Sequence, residues 1–362
     1  TYLVGIALGG WLYSRLAHPG MNEKILFMVL TALMAISILA CAPFYDQLAY
    51  LFQFAHEASG ERWWHLSLLS FLIVFAVIGL PTLLSGALLP AAIAILDPGK
   101  ARTGEGVGLV VLYNTIGAVA GSLTAGFLLV PWIGLLGSFK TLATINLCLV
   151  AILAIYYYQV TLANRALIGL IACGMLFVSV PAAWNPLLIN SGVYCYATKY
   201  TRMGGIDSVL SREKILKVIE GNETTVAIHE DTEGDFRFFT VNGKTDGGTG
   251  SDMSTQILIG QLPLLLHPKP DDVLVIGLGT GITLNAMSDH PTRNITCVEI
   301  SPEVVEAEPY FTHANGFALQ DPKVDLVVND GRNFLLTSNK LYDAIVSEPS
   351  NPWQTGNANL FT

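Results

Sequence analysis

The distribution of charge along the chain limits its fold more than any other feature. Residues 1–190 hold seven Lys/Arg and six Asp/Glu, whereas residues 191–362 hold twelve and twenty-two. The first stretch is therefore near-neutral (net +1) and the second acidic (net −10). Charged residues make up 13% of the whole, about half the ~25% usual in a soluble domain. A run of about 20 apolar residues suffices to cross a bilayer. The sequence predicts about six such spans over 1–186: the tail of one at 1–14, then 25–44, 66–96, 107–130, 137–159 and 166–184. The lipid bilayer is thus an expected partner. An acidic second half argues against nucleic acid, which needs a basic face.

Polar and small residues inside the spans are the features to watch. The span 66–96 contains Pro81 and Pro90, which predicts either one kinked helix or a helix with a re-entrant turn, because proline removes a backbone donor. Gly117, Ala118, Ala120, Gly121, Ser122, Ala125 and Gly126 cluster where a second helix would approach closely. Asn114 carries an amide into the apolar region and calls for a partner there. Positive charge places loops 15–24, 97–106 and 160–165 inside. Counting spans from there puts the second half outside, but Lys199, Arg202, Arg212, Lys214 and Lys217 favour inside. The five cysteines form no CxxC and no Cys/His pair at metal spacing, so no metal is expected. The chain begins without Met and stops at Thr362, and truncation at both ends is the expectation.

A boundary is predicted near Trp184–Pro186. Residues 193–250 read as a small β-subdomain, with strands at Thr224–His229 and Phe236–Val241 and turns at Glu233–Asp235 and Asn242-Gly243. Residues 252–266 read as a helix. From 251 to 362 the pattern becomes an α/β Rossmann-like domain: strand Asp272–Ile276, the turn Gly277-Leu278-Gly279-Thr280-Gly281, and helix Ile282–Ser288. The next strand, Asn294–Val298, ends at Glu299, 18 residues after Gly281, where an acid can receive two ribose hydroxyls. Strands Val324–Val328 and Tyr342–Ser347 lead into Asn329-Asp330-Gly331 and Glu348-Pro349-Ser350-Asn351-Pro352. Each group alone has a structural explanation, as turn, helix start or solvated acid. Together they occupy successive strand ends, where open α/β sheets bind ligands. Their spacing favours an S-adenosylmethionine-type methyltransferase fold over a dinucleotide fold.

These stretches resemble the polyamine aminopropyltransferases, the spermidine synthase family. Val273–Gly281, Val298–Val305, Asp330-Gly331-Arg332 and Tyr342–Pro352 carry the likeness, with Gln256 and Leu262-Pro263-Leu264 upstream. The multi-pass half is similar to the membrane region of bacterial fused major-facilitator-like/spermidine synthase-like proteins, through Gly5–Trp11 and Tyr113–Ala118. The resemblance implies a location in the bacterial inner membrane. It also implies aminopropyl transfer from decarboxylated S-adenosylmethionine to an amine. Gly277, Gly279 and Gly281 match the family's glycine loop, Glu299 its ribose acid, and Asp330, with Gly331, the acid at the adenine. Gln256 matches a glutamine near the nucleoside. Glu348 stands where the family has its catalytic base. Thr280 replaces the Asp of the loop, Asn351 replaces a second Asp, and Thr255 replaces a Tyr, with Asp252 close enough in sequence to compensate in part. The departures fall on groups that hold cationic substrates. They leave three readings open: aminopropyl transfer, methyl transfer from S-adenosylmethionine to a membrane-delivered acceptor, and a non-catalytic transport or scaffold protein. A homo-oligomer is compatible with each.

Overall fold

The computed structural model describes residues 1–18, 20–60, 62–96, 103–157, 168, 169, 171, 174, 183–222 and 224–347. Two compact units emerge: Thr1–Ile189 with Ala197–Thr201, and Asn190–Tyr196 with the chain from Arg202 onward.

The first unit is helical. Helices α1 (Tyr2–Leu16), α2 (Glu23–Cys41), α3 (Leu48–Ser59), α4 (Trp63–Leu96), α5 (Thr103–Thr124) and α6 (Val130–Tyr157) follow in order. Among the described residues three helical stretches are long and apolar enough to cross a membrane: Glu23–Phe44, Trp63–Leu96 and Gly104–Tyr157. The last of these joins two spans predicted separately, through a π-helical turn at Ala125–Leu129, and its backbone departs from helix only at Gly134 (φ 71°, ψ 173°). Most of the span predicted at 166–184 lies outside the described residues.

Helix α4 runs unbroken through both prolines. Pro81 has no N–H for the carbonyl of Val77, and that carbonyl instead accepts from the Cys41 thiol at 3.2 Å. Such replacement partners let proline persist in apolar helices. Glycines set how closely α1 meets α4: a Cβ on Gly9 would overlap the Leu83 carbonyl oxygen, and one on Gly86 would overlap the Ile6 carbonyl oxygen. Helix α2 packs on α6 through Met28, Ala32, Ala35 and Leu39 against Ala143, Leu147, Val150 and Ala154. Helix α3 buries Gln53 and carries exposed apolar side chains. Gln53 and Glu57 bond Thr201, and His56 meets Thr198 at 3.1 Å, while Tyr50, Leu51 and Phe54 face outward.

Helices rather than strands precede residue 213. Val193–Arg202, of which Ala197–Thr201 belongs to the first unit, forms the amphipathic helix α7 and Ile206–Leu210 forms α8, so the first twenty residues of the predicted β-subdomain are not strand. A four-stranded antiparallel meander follows: β1 (Glu213–Glu220), β2 (Thr225–Asp231), β3 (Phe236–Val241) and β4 (Lys244–Gly248). Asn242 and Gly243 both adopt positive φ (50° and 83°), the geometry that two-residue hairpins require. Inside the meander His229 is buried between Glu213 (3.1 Å) and Thr240 (3.3 Å) and stacks on Phe238.

Helix α9 (Met253–Leu266) leads into a parallel sheet of order β7-β6-β5-β8. Its strands are β5 (Asp272–Ile276), β6 (Asn294–Glu299), β7 (Val324–Val328) and β8 (Ala344–Ser347), with α10 (Ile282–Ser288) after β5, α11 (Pro302–Ala307) after β6 and α12 (Gly331–Thr337) after β7. Val273, Val275, Ile295 and Cys297 of this sheet share one core with Val226, Ile228 and Phe239 of the meander, closed by Phe311. Because β5 pairs with β6 on one side and β8 on the other, the chain reverses direction across the sheet at β5. The crevice at the C-terminal ends of such strands is where doubly wound sheets take ligands.

Candidate functional site

Strand β5 ends at Ile276, and the turn 277–281 rises from it. Gly277, Gly279 and Gly281 take φ of 97°, 54° and 78°, a region side-chain-bearing residues rarely occupy. A Cβ on Gly277 or Gly279 would meet open space, whereas one on Gly281 would lie 2.9 Å from Asn315 Nδ2. The first two glycines therefore leave backbone bare on the open side. The third is required by what sits behind it.

Glu299 staples this turn to the end of β6. Its Oε2 accepts from Leu278 N at 2.8 Å and its Oε1 from Ser301 N at 2.9 Å. Gly277 N donates to Val298 O, and Asn329 N donates to Glu299 O, so three successive strand ends are tied together. Burial pushes the Glu299 carboxyl above its ordinary range, against the pull of these N–H donors, and the Asp246 carboxylate on β4 adds to the upward push. Beneath it Cys297 is fully buried, and burial, with the Glu299 charge, pushes its thiol up to about 12. A thiol so held is inert. An alkylating reagent near neutral pH should label exposed Cys195 and leave Cys297 unmodified until the chain unfolds. Peptide mass spectrometry reads both sites.

Gln256 and Thr280 meet behind the turn. The Thr280 hydroxyl donates to Gln256 Oε1 at 2.5 Å, and Gln256 Nε2 donates to Gly248 O (2.8 Å) and Asp252 Oδ2 (3.1 Å). Both Gln256 and Thr280 are buried. Asp252 Oδ2 also accepts from Gly248 N. These three predicted residues thus form one inward-facing network that clamps β4 and α9 to the turn. Thr255 lies exposed on α9. Asp330 is exposed at the end of β7, where its Oδ1 caps α12 by accepting from Asn333 N at 2.7 Å, and Gly331 is buried behind it. Glu348 and Asn351 lie outside the described residues.

Three residues at the site escape a reading of the sequence. Asp246 sits in a short polar strand with no motif around it. Glu308 and Asn315 fall in irregular helix between β6 and β7, yet Asn315 Nδ2 donates to Thr280 O (2.8 Å) and to Glu308 Oε1 (2.7 Å). Burial raises the Glu308 carboxyl, and the Asn315 donor opposes it. A carboxyl raised by folding holds its proton more tightly in the folded chain. Its contribution is fully present below the ordinary carboxylate range and is lost as pH climbs through the raised value. Glu308→Gln should therefore melt higher than wild type at pH 8, and the gap should shrink toward pH 5. A pH series of thermal melts checks this.

The arrangement is a bare glycine turn flanked by a buried acid and an exposed acid on the next strand ends. It can cradle a nucleoside by backbone approach and carboxylate–hydroxyl bonds. Among the described residues no group of three or more His, Cys, Asp or Glu is placed to hold a metal.

Residues 253–362 match the Spermine/spermidine synthase domain family. The polyamine aminopropyltransferase of Bacillus subtilis (strain 168) is 36% identical over 107 residues, 29% of this chain and 38% of that protein. A polyamine aminopropyltransferase of Corynebacterium efficiens is 25% identical over 315 residues, 84% of this chain and 56% of that protein. An alignment of that length takes in part of the helical half as well. A crystal structure of spermidine synthase in complex with the transition state analogue AdoDATO superposes with a TM-score of 0.39 at 22% identity, covering 41% of this chain and 51% of that one. The chain thus spans between about a third and somewhat over half the length of the curated relatives it matches. From Met253 onward it is similar to a spermine/spermidine synthase domain.

Proposed function

We propose that the chain is a membrane-anchored transferase of the spermidine synthase type, moving the aminopropyl group of decarboxylated S-adenosylmethionine to an amine. The observation that carries this reading is the bare turn Gly277–Gly281 stapled to Glu299, with Asp330 on the next strand end. In the reaction an amine lone pair attacks the methylene beside the sulfonium. The new C–N bond forms as the C–S bond breaks, methylthioadenosine leaves, and the ammonium formed gives up its proton. Glu299 and Asp330 hold the nucleoside, and Glu348 takes the proton. Holding the two reactants in line supplies much of the acceleration.

Membrane anchoring rests on the first unit. Large apolar side chains such as Leu112, Ile116, Val119, Leu123, Ile152 and Ile155 are exposed around α5 and α6, and helices apolar on all sides belong in lipid.

Thr280 favours a second reading. With a neutral, inward-tied side chain there, the turn neither attracts an aminopropyl ammonium nor repels the carboxylate of intact S-adenosylmethionine. Methyl transfer to a membrane-delivered acceptor fits that feature. Calorimetry on the full chain in nanodiscs, with each sulfonium in turn, separates the two. Tighter binding of the decarboxylated form, with methylthioadenosine released when putrescine is added, supports aminopropyl transfer. Tighter binding of intact S-adenosylmethionine supports methyl transfer. Binding of neither favours a scaffold.

A further inference from the structure

The glycine turn is held from behind by a buried amide–carboxyl pair that no binding motif includes. Asn315 is wholly buried and Glu308 is 4% exposed. Both hydrogens of Asn315 Nδ2 are committed, one to Thr280 O at 2.8 Å and one to Glu308 Oε1 at 2.7 Å, while its Oδ1 accepts from Phe317 N at 3.0 Å. Thr280 is therefore gripped at two points. Its hydroxyl donates to Gln256 and its carbonyl accepts from Asn315. The Thr280 carbonyl belongs to the peptide that enters Gly281, the residue at φ 78° whose missing Cβ leaves room for the Asn315 amide. Turning that peptide would swing the bare backbone of Gly279 out of its present direction.

We propose that Asn315, oriented by Glu308, is a positioning residue for nucleoside recognition. It locks the Thr280 carbonyl and so keeps the turn 277–281 in the shape that admits a ligand. The inference rests on the nucleoside-site reading above and deepens it. Glu308 acts through its acceptor oxygen. An amide at that position serves as well as a carboxyl, which agrees with the buried setting that favours the neutral acid.

The test uses the full chain in nanodiscs, with variants Asn315→Asp, Glu308→Gln and Glu308→Leu. Asparagine and aspartate have nearly the same shape, but an aspartate at this position loses both donors and faces two acceptors. Hydrogen exchange of peptides covering 277–284 reads the turn without a ligand, and calorimetry with methylthioadenosine reads recognition. The expected result for Asn315→Asp is exchange in 277–284 faster by about tenfold or more, with β5 and β6 peptides unchanged. Nucleoside affinity should fall by roughly 10- to 100-fold, equivalent to about 1.4–2.8 kcal/mol. Glu308→Gln should match wild type in both readouts, and Glu308→Leu should resemble Asn315→Asp. Wild-type exchange or wild-type affinity in Asn315→Asp would overturn the proposal. So would exchange that rises equally in the core strands, or Glu308→Gln behaving like Glu308→Leu. A wild-type chain that binds no adenine nucleoside would overturn the ligand reading itself, and this inference with it.

Discussion

Replacing Glu299 by Gln should cost the second unit both stability and nucleoside affinity, and by different amounts. The carboxylate receives two backbone donors, Leu278 N and Ser301 N, one on each oxygen. A glutamine offers one oxygen and one NH2 group. Whichever way it turns, a donor faces a buried donor, and one N–H is left without an acceptor. Leaving a buried polar group unsatisfied costs about 1–3 kcal/mol, which should appear as a lower melting temperature. A carboxylate has about four acceptor positions, and the backbone donors use two. On the proposed nucleoside reading, a remaining lone pair would receive a ribose hydroxyl, through a charge-assisted bond about twice as strong as a neutral one. Affinity for methylthioadenosine should therefore drop by about 10- to 100-fold, or about 1.4–2.8 kcal/mol, when measured well below the melting range. Glu299→Asp keeps the charge and shortens the reach, so it should lower affinity as well. A variant that melts lower but binds the nucleoside like wild type would reduce Glu299 to a staple of the loop and remove it from the ligand site.

The contrast between legible and hidden features has a physical basis. Strand β5 is readable because an inner parallel strand is a short apolar run covered on both faces, whereas β7, at the sheet edge with Asp325 and Val328 exposed, is readable from its valines alone; Asp272–Ile276 and Val324–Val328 have the predicted bounds. The hairpin at Asn242-Gly243 was readable because that dipeptide suits two consecutive positive φ values. Strand β1 was not, since Glu-Lys-Ile-Leu-Lys-Val-Ile-Glu sits at the edge of its sheet with four charged residues. Helix α7 falls inside the predicted β-subdomain because its aromatic and β-branched residues favour strands when judged alone. At the site, spacing identified which residues reach the strand ends but not which way they face. Thr280 stands in the turn, where a family resemblance implies a ligand contact, yet its side chain is spent on Gln256. Gln256 likewise gives its amide to the protein's own backbone. The pair Glu308 and Asn315 has no local signature, because its partner is a carbonyl 35 residues earlier in the chain.

The second large effect belongs to the helical unit, where alanine should be worse than glycine inside a helix. On propensity alone Gly→Ala gains about 1 kcal/mol in a helix interior. At Gly9 the new methyl would overlap the carbonyl oxygen of Leu83, and at Gly86 that of Ile6. Neither obstacle is a flexible side chain. Backbone cannot rotate away, so α1 and α4 must separate along their contact. Overpacking costs typically 1–3 kcal/mol even where side chains can adjust, so the clash outweighs the propensity gain. Close approach is also what small residues provide between helices in an apolar medium, and separation forfeits those contacts over several turns. Gly9→Ala and Gly86→Ala should each lower the melting temperature of the purified chain, and Gly9→Val should prevent recovery of folded protein. Gly117 supplies the internal control. A Cβ there meets nothing within 4 Å, so Gly117→Ala should be neutral or slightly stabilising. If Gly117→Ala proved as damaging as Gly9→Ala, the α5 face would be packed against something in the membrane, and its row of small residues would be a helix-docking surface in its own right.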